Sequence, residues 1–450
     1  MDLQEQKYIT MTQGAVGKTI GRLAVPCIIS MLVTAFYNMA DTFFVGMLDS
    51  NAATGAVGVV FSMMAIIQAV GFFFGHGSGN YISRMMGSKK YDEAGFMAAT
   101  GFFTAIAAGV VICLLGQLFL EDLAYLLGST DTILPYTKDY LRVILIGAPW
   151  MTASLVLNNQ LRFQGSATYG MVGITSGAVL NIALDPLFIF TFQMDVAGAG
   201  LATIISQFVS FLVLLKGCQR SGNLQIRLKN VRLQKHYLFH IFKGGLPSLA
   251  RQSLASFATI ALNHAARPHG DVVIAAMGVV QRIMMFGASA MIGFGQGFQP
   301  FCGFNYGAGL YSRVRKGFWF CVKGSFVFLL AVSAAGFAFA PQLISLFRDD
   351  PQVIECGALA LRLQFLTFPT HSWIVMSTMM QQVMGRTVPA TFTSVARQAL
   401  FFIPSVLLLS HLLGVLGIQM SQTVADVLTL VCSIPLQIWV LRQLPTKDTL

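Results

Sequence analysis

Asn181, Asp185 and Pro186 lie inside the apolar stretch Leu180 to Phe190, LNIALDPLFIF, where an amide, a carboxylate and a missing N–H can together hold a proton or a small cation. Residues four apart on a helix stand one above the other, so Asn181 and Asp185 share a face. Pro186 crowds the carbonyl of Ile182 and cannot donate to it, so a kink with that oxygen left free is expected. A second carboxylate, Asp41, follows Tyr37 and Asn38 in another apolar stretch, and Asn38 and Asp41 fall on one helix face. Pro26, about four turns earlier, is a second candidate hinge beside Pro186. If the two stretches are neighbours, Asp41, Asn181 and Asp185 form one polar pocket. Two carboxylates held close in low dielectric disfavour double ionisation, so at least one is expected to carry a proton at working pH.

Groups of this kind are costly at membrane depth and usually functional, and the composition places them there. Of 450 residues, 55% are hydrophobic and only 10% charged, with a mean hydropathy of +0.68, against about 25% charged in a soluble chain. The formal net charge of +11 does not point to nucleic acid, because the Lys and Arg residues fall between apolar runs with no patch of interleaved stacking aromatics. The seven cysteines are odd in number, scattered and without a C-x-x-C, which indicates neither a disulfide framework nor a metal site.

Runs long enough to span a bilayer occur near 20–47, 53–80, 94–120, 133–157, 167–191 and 195–217, then near 245–266, 273–301, 316–341, 356–381, 388–412 and 415–441. The reading is an all-α polytopic membrane protein with twelve transmembrane helices in two six-helix lobes, 1–217 and 244–450, joined by a basic linker over 218–243. Residues 1–18 are polar and unlike a cleavable signal peptide, so the first run serves as an uncleaved first span. Most of the 29 Lys and Arg residues fall at the termini or in the even-numbered loops, whereas the odd-numbered loops carry acids such as Asp49, Glu121, Asp131 and Asp349. That bias predicts both termini on the cytoplasmic side of the cell (inner) membrane.

Two sixes invite a search for a repeat. Gly58-Val59-Val60 recurs as Gly278-Val279-Val280, and at the same spacing of 220 residues Phe74, Gly75, Gly77, Gly87 and Tyr91 meet Phe294, Gly295, Gly297, Gly307 and Tyr311; Gly165 meets Gly385. Each half has an even number of spans, so the bundles are related by a pseudo-two-fold axis along the membrane normal with a cleft between them. Asn181, Asp185 and Asp41 correspond to Phe401, Ser405 and Ala261, so the carboxylates of the pocket belong to the first half alone.

The segments Asp41-Thr42-Phe43-Phe44-Val45-Gly46 and Asn181 to Pro186, the Gly165 and Gly385 loop positions, and Gly198-Ala199-Gly200-Leu201-Ala202-Thr203 together resemble the multidrug and toxic compound extrusion (MATE) family across essentially the whole chain, most closely its bacterial MepA and DinF-like branch. The resemblance implies a secondary antiporter, not an enzyme, that exports cationic lipophilic drugs or toxins in exchange for H+ or Na+ by alternating access. It needs no cofactor beyond that coupling ion and is expected to act as a monomer in the lipid bilayer. The family's first-lobe cation site maps onto Asp41, Asn181, Asp185 and Thr203, with Asn158 or Asn159 as a further member. The acidic second-lobe site of some members has no counterpart in helices seven and ten, which offer His264, Arg251 and His371.

The cleft is expected to present Tyr37, Asn38, Met63 and Met284, since methionines adapt to varied ligands, although most of the methionines at 63, 64, 284, 285, 376, 379, 380 and 384 suit packing. Arg251, Arg282, Arg362 and Arg397 have three readings: pairing with Asp271, Asp426 or Glu355, snorkelling to an interface, or attracting anionic groups. His76 reads as a helix-end residue, and the glycines around 71–79 and 293–309 read as sites of close packing rather than a phosphate cradle. A flippase for lipid-linked oligosaccharides or lipids is the main rival, and it would want a strongly basic cleft.

Overall fold

The structure, a computed structural model, describes residues 3–47 and 51–449; Asp49 lies outside them. A short polar helix, α1 (Leu3–Gln13), precedes the first lobe, which is built from α2 (Val16–Gly46), α3 (Asn51–Gly87), α4 (Tyr91–Leu118) with its extension α5 (Leu120–Leu126), α6 (Leu134–Phe163), α7 (Ala167–Pro186) and α8 (Asp195–Cys218). The second lobe repeats the plan with α9 (Lys235–Ala266), α10 (Asp271–Gly307), α11 (Tyr311–Ala338) with α12 (Ala340–Ser345), α13 (Pro351–Thr367) with α14 (His371–Val383), α15 (Thr387–Val395) with α16 (Ile403–Leu413), and α17 (Val415–Arg442). Ten of these passes are long and apolar enough among the described residues to cross a membrane. The other two, α9 and the α13–α14 pass, complete the twelve; α9 is the more polar, and α13–α14 is interrupted at Phe368–Thr370.

The repeat is visible in backbone geometry. Gly165 and Gly385, 220 residues apart, both turn their loops with positive φ, +80° and +77°, which an L side chain rarely adopts. Lys89 and Gly309 form another such pair, at +57° and +74°. The symmetry breaks in two places that matter. Pro149 lies within the unbroken α6, whereas its repeat partner Pro369 opens the chain into a 3₁₀ turn before His371. A π-helical stretch, Ala396–Phe402, interrupts the eleventh pass midway, whereas that of the fifth pass, Leu187–Thr191, comes near its end. The basic stretch expected as a linker over 218–243 is helical from Lys235 onward, because α9 extends well beyond its apolar run.

The lobes close on each other at one end. At 37 residues each, α3 and α10 are about 55 Å long, well over the ~30 Å of a hydrocarbon core. Their C-terminal portions run beyond it, on the side of the chain termini. There the Met11 carbonyl accepts from Asn305 Nδ2 at 3.0 Å, and the amide of Thr449 donates to the Gly309 carbonyl at 3.1 Å. A Cβ on Gly87 would collide with the Phe304 carbonyl oxygen, and one on Gly307 with that of Arg84. Residues 84 and 304 are themselves 220 apart, so the pseudo-two-fold axis passes between α3 and α10. Gly77 packs on Ile241 and Gly244, and its partner Gly297 packs on Ala24. The expected role of these glycines in close packing is what the structure displays. His76 is a different matter: α3 runs unbroken through it, so it is a buried mid-helix residue rather than a helix end.

Candidate cation site and inter-lobe cleft

The first-lobe pocket forms where α2, α6, α7 and α8 meet away from the closed end. Asn181 Nδ2 lies 3.4 Å from Asp185 Oδ1 and 3.5 Å from Thr203 Oγ1, the geometry that four-residue spacing on α7 dictates. Asp41, Asn181, Asp185 and Thr203 are each 2% exposed or less. Asp41 lies within electrostatic reach of Asp185. Buried polar atoms are normally satisfied, yet Asp41 Oδ1, Asn181 Oδ1 and Asp185 Oδ2 have no hydrogen-bond partner among the described residues. Three acceptor oxygens on two walls of one buried pocket suit a proton or a small hard cation.

Pro186 does not break the chain; the helix passes into a π-helical turn, Leu187–Thr191, a widened form of backbone that often marks functional sites. The Gly198-Ala199-Gly200 motif has a packing reason. A Cβ on Gly200 would reach within 2.7 Å of the Tyr140 ring, and one on Gly198 within 2.9 Å of the Phe188 carbonyl in the π turn. Small residues on α8 therefore let Tyr140 of α6 into the pocket. Its fully buried hydroxyl lies beside Thr203 and in electrostatic reach of Asp41, Tyr37 and Asp185. Sequence reasoning missed Tyr140, which follows no motif; a buried tyrosine at the start of an apolar helix carries no distinguishing signal. Tyr37, expected in the cleft, is buried in this pocket beside Asp41, Asp185 and Gln207.

Neither asparagine at the end of α6 joins the pocket. The Asn158 side chain stands against Gly170, which is 15 residues from Asp185 on α7, or about 22 Å along the helix. Asn159 Oδ1 accepts from Arg162 Nη2 at 2.6 Å, and the same Nη2 lies 3.2 Å from His76 Nε2. α6 is simply too long for one helix to serve both ends.

Between the lobes, a cleft of about 720 Å³ opens at the end opposite the termini. Asn38, Phe43, Phe61, Met64 and Gln68 line its first-lobe wall, and Arg282 and Met285 its second-lobe wall. Asn38 faces the cleft while Asp41, three residues on, is buried behind it. Met63 and Met64 both belong to the first-lobe core, and it is Met64 that also lines the cleft; in the second lobe Met285 lines it while Met284 packs against the core. One residue is a 100° rotation on a helix, and an apolar run does not reveal that phase.

The second lobe holds a buried carboxylate that comparison of the repeats hid. Asp426, on α17, accepts from Arg397 Nε at 2.9 Å and Gln422 Nε2 at 2.9 Å, and lies 3.2 Å from His371 Nε2. Apart from Glu355 near the start of α13, helices seven and ten carry no carboxylate; this one comes from the twelfth pass, at the position matching Ser206. Arg397 therefore takes the pairing role. Arg362 reaches a helix-end carbonyl, Phe337, at 3.2 Å and covers its ring, whereas Arg282 faces the cleft. No ion pair forms to Asp271 or Glu355 among the described residues.

A duplicated helical bundle closed at one end, open at the other and carrying a buried acidic pocket beside its cleft has the form of a membrane carrier. A family model described as MatE matches residues 26–187 and again 247–408, so the chain belongs to the MatE (multidrug and toxic compound extrusion) transporter family. It is similar to the multidrug export protein MepA of Staphylococcus aureus (strain NCTC 8325 / PS 47), 26% identical over 448 residues, spanning 99% of both chains. A crystal structure of MATE in complex with MaL6 superposes with a TM-score of 0.92 at 25% identity, covering 97% of this chain and 98% of that one. A second solved structure, an outward-facing conformation of a multidrug resistance MATE family transporter of the MOP superfamily, gives 0.92 at 26% identity with the same coverage.

Proposed function

We propose that this protein is an efflux antiporter that exports cationic, lipophilic compounds against an inward flow of H+, with Na+ as the alternative coupling ion. The observation that carries the reading is the set of unpartnered buried oxygens on Asp41, Asn181 and Asp185, one helical turn behind the cleft residue Asn38. The similarity to a multidrug export protein supports the substrate class. The Lys/Arg bias puts the termini and the closed end in the cytoplasm, so the cleft faces outward in this state.

In the mechanism, a cation and a proton compete for the Asp41–Asp185 pocket. Coupling requires only that each favours a different arrangement of the lobes. One charge returning across 100 mV releases about 2.3 kcal/mol, before any pH gradient is added. Protonation in the outward-facing state cancels negative charge beside the cleft and lets the cargo leave; proton release to the cytoplasm restores it.

The test is ethidium efflux from vesicles bearing wild type, Asp41→Asn or Asp185→Asn, with pH and Na+ gradients imposed separately. Export driven by the pH gradient alone and lost in both variants is expected. Undiminished export in both would remove the site assignment, and failure of wild type to export any cationic dye would favour the lipid flippase.

A further inference from the structure

We infer that the second lobe contains an anion site, centred on Arg251, that takes a single carboxylate-sized negative charge. A cavity of about 100 Å³ is lined by Arg251 of α9, His371 and Thr378 of α14, Thr393 and Ser394 of α15, and Arg397 of the π-helical stretch. No acidic side chain lines it, and among the described residues none lies within electrostatic reach of Arg251.

The charges around this cavity do not cancel. Arg397 is matched by Asp426, with its Nη2 a further 2.8 Å from His371 Nε2. Arg251 has no hydrogen bond and no ion pair among the described residues. The titratable groups within its reach across the lobe interface are Arg162, also positive, and His76 of α3; Arg162 Nε and Nη1 are buried without hydrogen-bond partners among the described residues. A guanidinium stays charged in any protein environment; Arg251 is partly exposed, so its unmatched positive charge stands open to the cavity. A bound anion is the direct way to compensate it, and Arg offers a planar fork matched to carboxylate. The Thr378, Thr393 and Ser394 hydroxyls donate to carbonyls four residues earlier, at 2.8, 3.0 and 2.9 Å. These are rotors that can turn to an incoming oxygen.

The cavity also has an approach. Arg282 and Met285 of α10 line the cleft, and Ala288, Met291 and Ile292 carry the same helix face on into the cavity at spacings of three and four. It is therefore the deep second-lobe continuation of the cleft, opposite the acidic first lobe. A cargo bearing both a cationic and a carboxylate group would meet charges of opposite sign on the two walls. This use of the site rests on the efflux reading; the site itself does not. A free halide carries the same chemistry.

Two measurements separate these cases. The first is thermal unfolding of the purified transporter in nanodiscs with sodium benzoate or sodium chloride, for wild type, Arg251→Gln and Arg251→Lys. A rise of about 2–4 °C in wild type, absent in Arg251→Gln and partly restored by Arg251→Lys, is expected. Benzoate as the stabilising anion supports a cargo carboxylate; chloride acting equally well supports a free anion as the occupant; no difference between wild type and Arg251→Gln with either salt overturns the site. The second is efflux of rhodamine 110, which has a free carboxylate, against its methyl ester rhodamine 123. The carboxylate-to-ester ratio should fall about tenfold in Arg251→Gln, the loss of one charge-assisted hydrogen bond. An equal fall for both dyes would reduce Arg251 to a structural role in transport. Export of neither dye by wild type would refute the efflux reading while the unfolding data still decide the site.

Discussion

Replacing Gly307 or its repeat partner Gly87 with alanine should tip the transporter out of the closed-end state without unfolding it. Each glycine ends its helix in ordinary helical conformation, so alanine brings no backbone strain. Inside a helix alanine is favoured by about 0.5–1 kcal/mol. The new methyl group, however, would stand more than about 1 Å short of an ordinary contact with the carbonyl oxygen of the opposite lobe, Arg84 for Gly307 and Phe304 for Gly87. Those oxygens belong to backbone and cannot rotate away. Overpacking of this kind costs about 1–3 kcal/mol, and the cost falls only on the state in which the lobes touch. The ratio of closed-end to open-end molecules should therefore drop by about 5- to 150-fold. Spin labels at Leu126 and Leu346, 83% and 79% exposed and on opposite lobes at the cleft end, would report it. Double electron–electron resonance in nanodiscs should show a new, shorter distance as the cleft end narrows. The double variant should exceed the stronger single variant only slightly, since parting the lobes relieves both overlaps at once. An unchanged distance distribution, or an additive loss of thermal stability, would refute the argument.

Asp426→Asn leaves Arg397 as an uncompensated charge at membrane depth, so it should destabilise the second lobe by about 3–5 kcal/mol, seen as a lowered unfolding temperature. Adding Arg397→Gln should recover most of that loss; a double variant no better than the single would count against the pair as the cause. Tyr140→Phe removes one hydroxyl from the acidic pocket and leaves the ring packed on Gly200. Ethidium efflux should fall several-fold while the unfolding temperature moves little, and normal efflux would separate Tyr140 from the coupling site.

Much of this architecture is legible in the chain because a bilayer leaves few alternatives: every backbone polar group must be satisfied within its own segment, so long apolar runs become helices. The repeat spacing of 220 residues is carried largely by glycines, read in sequence as sites of close packing, and at Gly87 and Gly307 the structure shows the backbone contacts, with Phe304 and Arg84, that require them. The Asn181–Asp185 pair is legible because its partners are four residues apart on one helix, where spacing alone sets geometry.

What sequence alone left open are relations between helices. Nothing in the spacing sets the rotation of one long apolar helix against another, so Met64 and Met285 face the cleft where Met63 and Met284 were expected. Tyr140 reaches the acidic pocket only because Gly200 lets α8 and α6 approach. Asn158 falls outside it because α6 spans the whole lobe. Asp426 meets Arg397 and His371 from two other passes, brought together by a 3₁₀ break and a π-helical stretch that the first lobe does not share at those positions. Sequence by itself determined which residues are ionisable, which segments are helical and that the halves are duplicates, because each follows from local chemistry or chain spacing. Tertiary structure alone decided which charges are compensated and which face the cleft, because that depends on how the helices pack against one another.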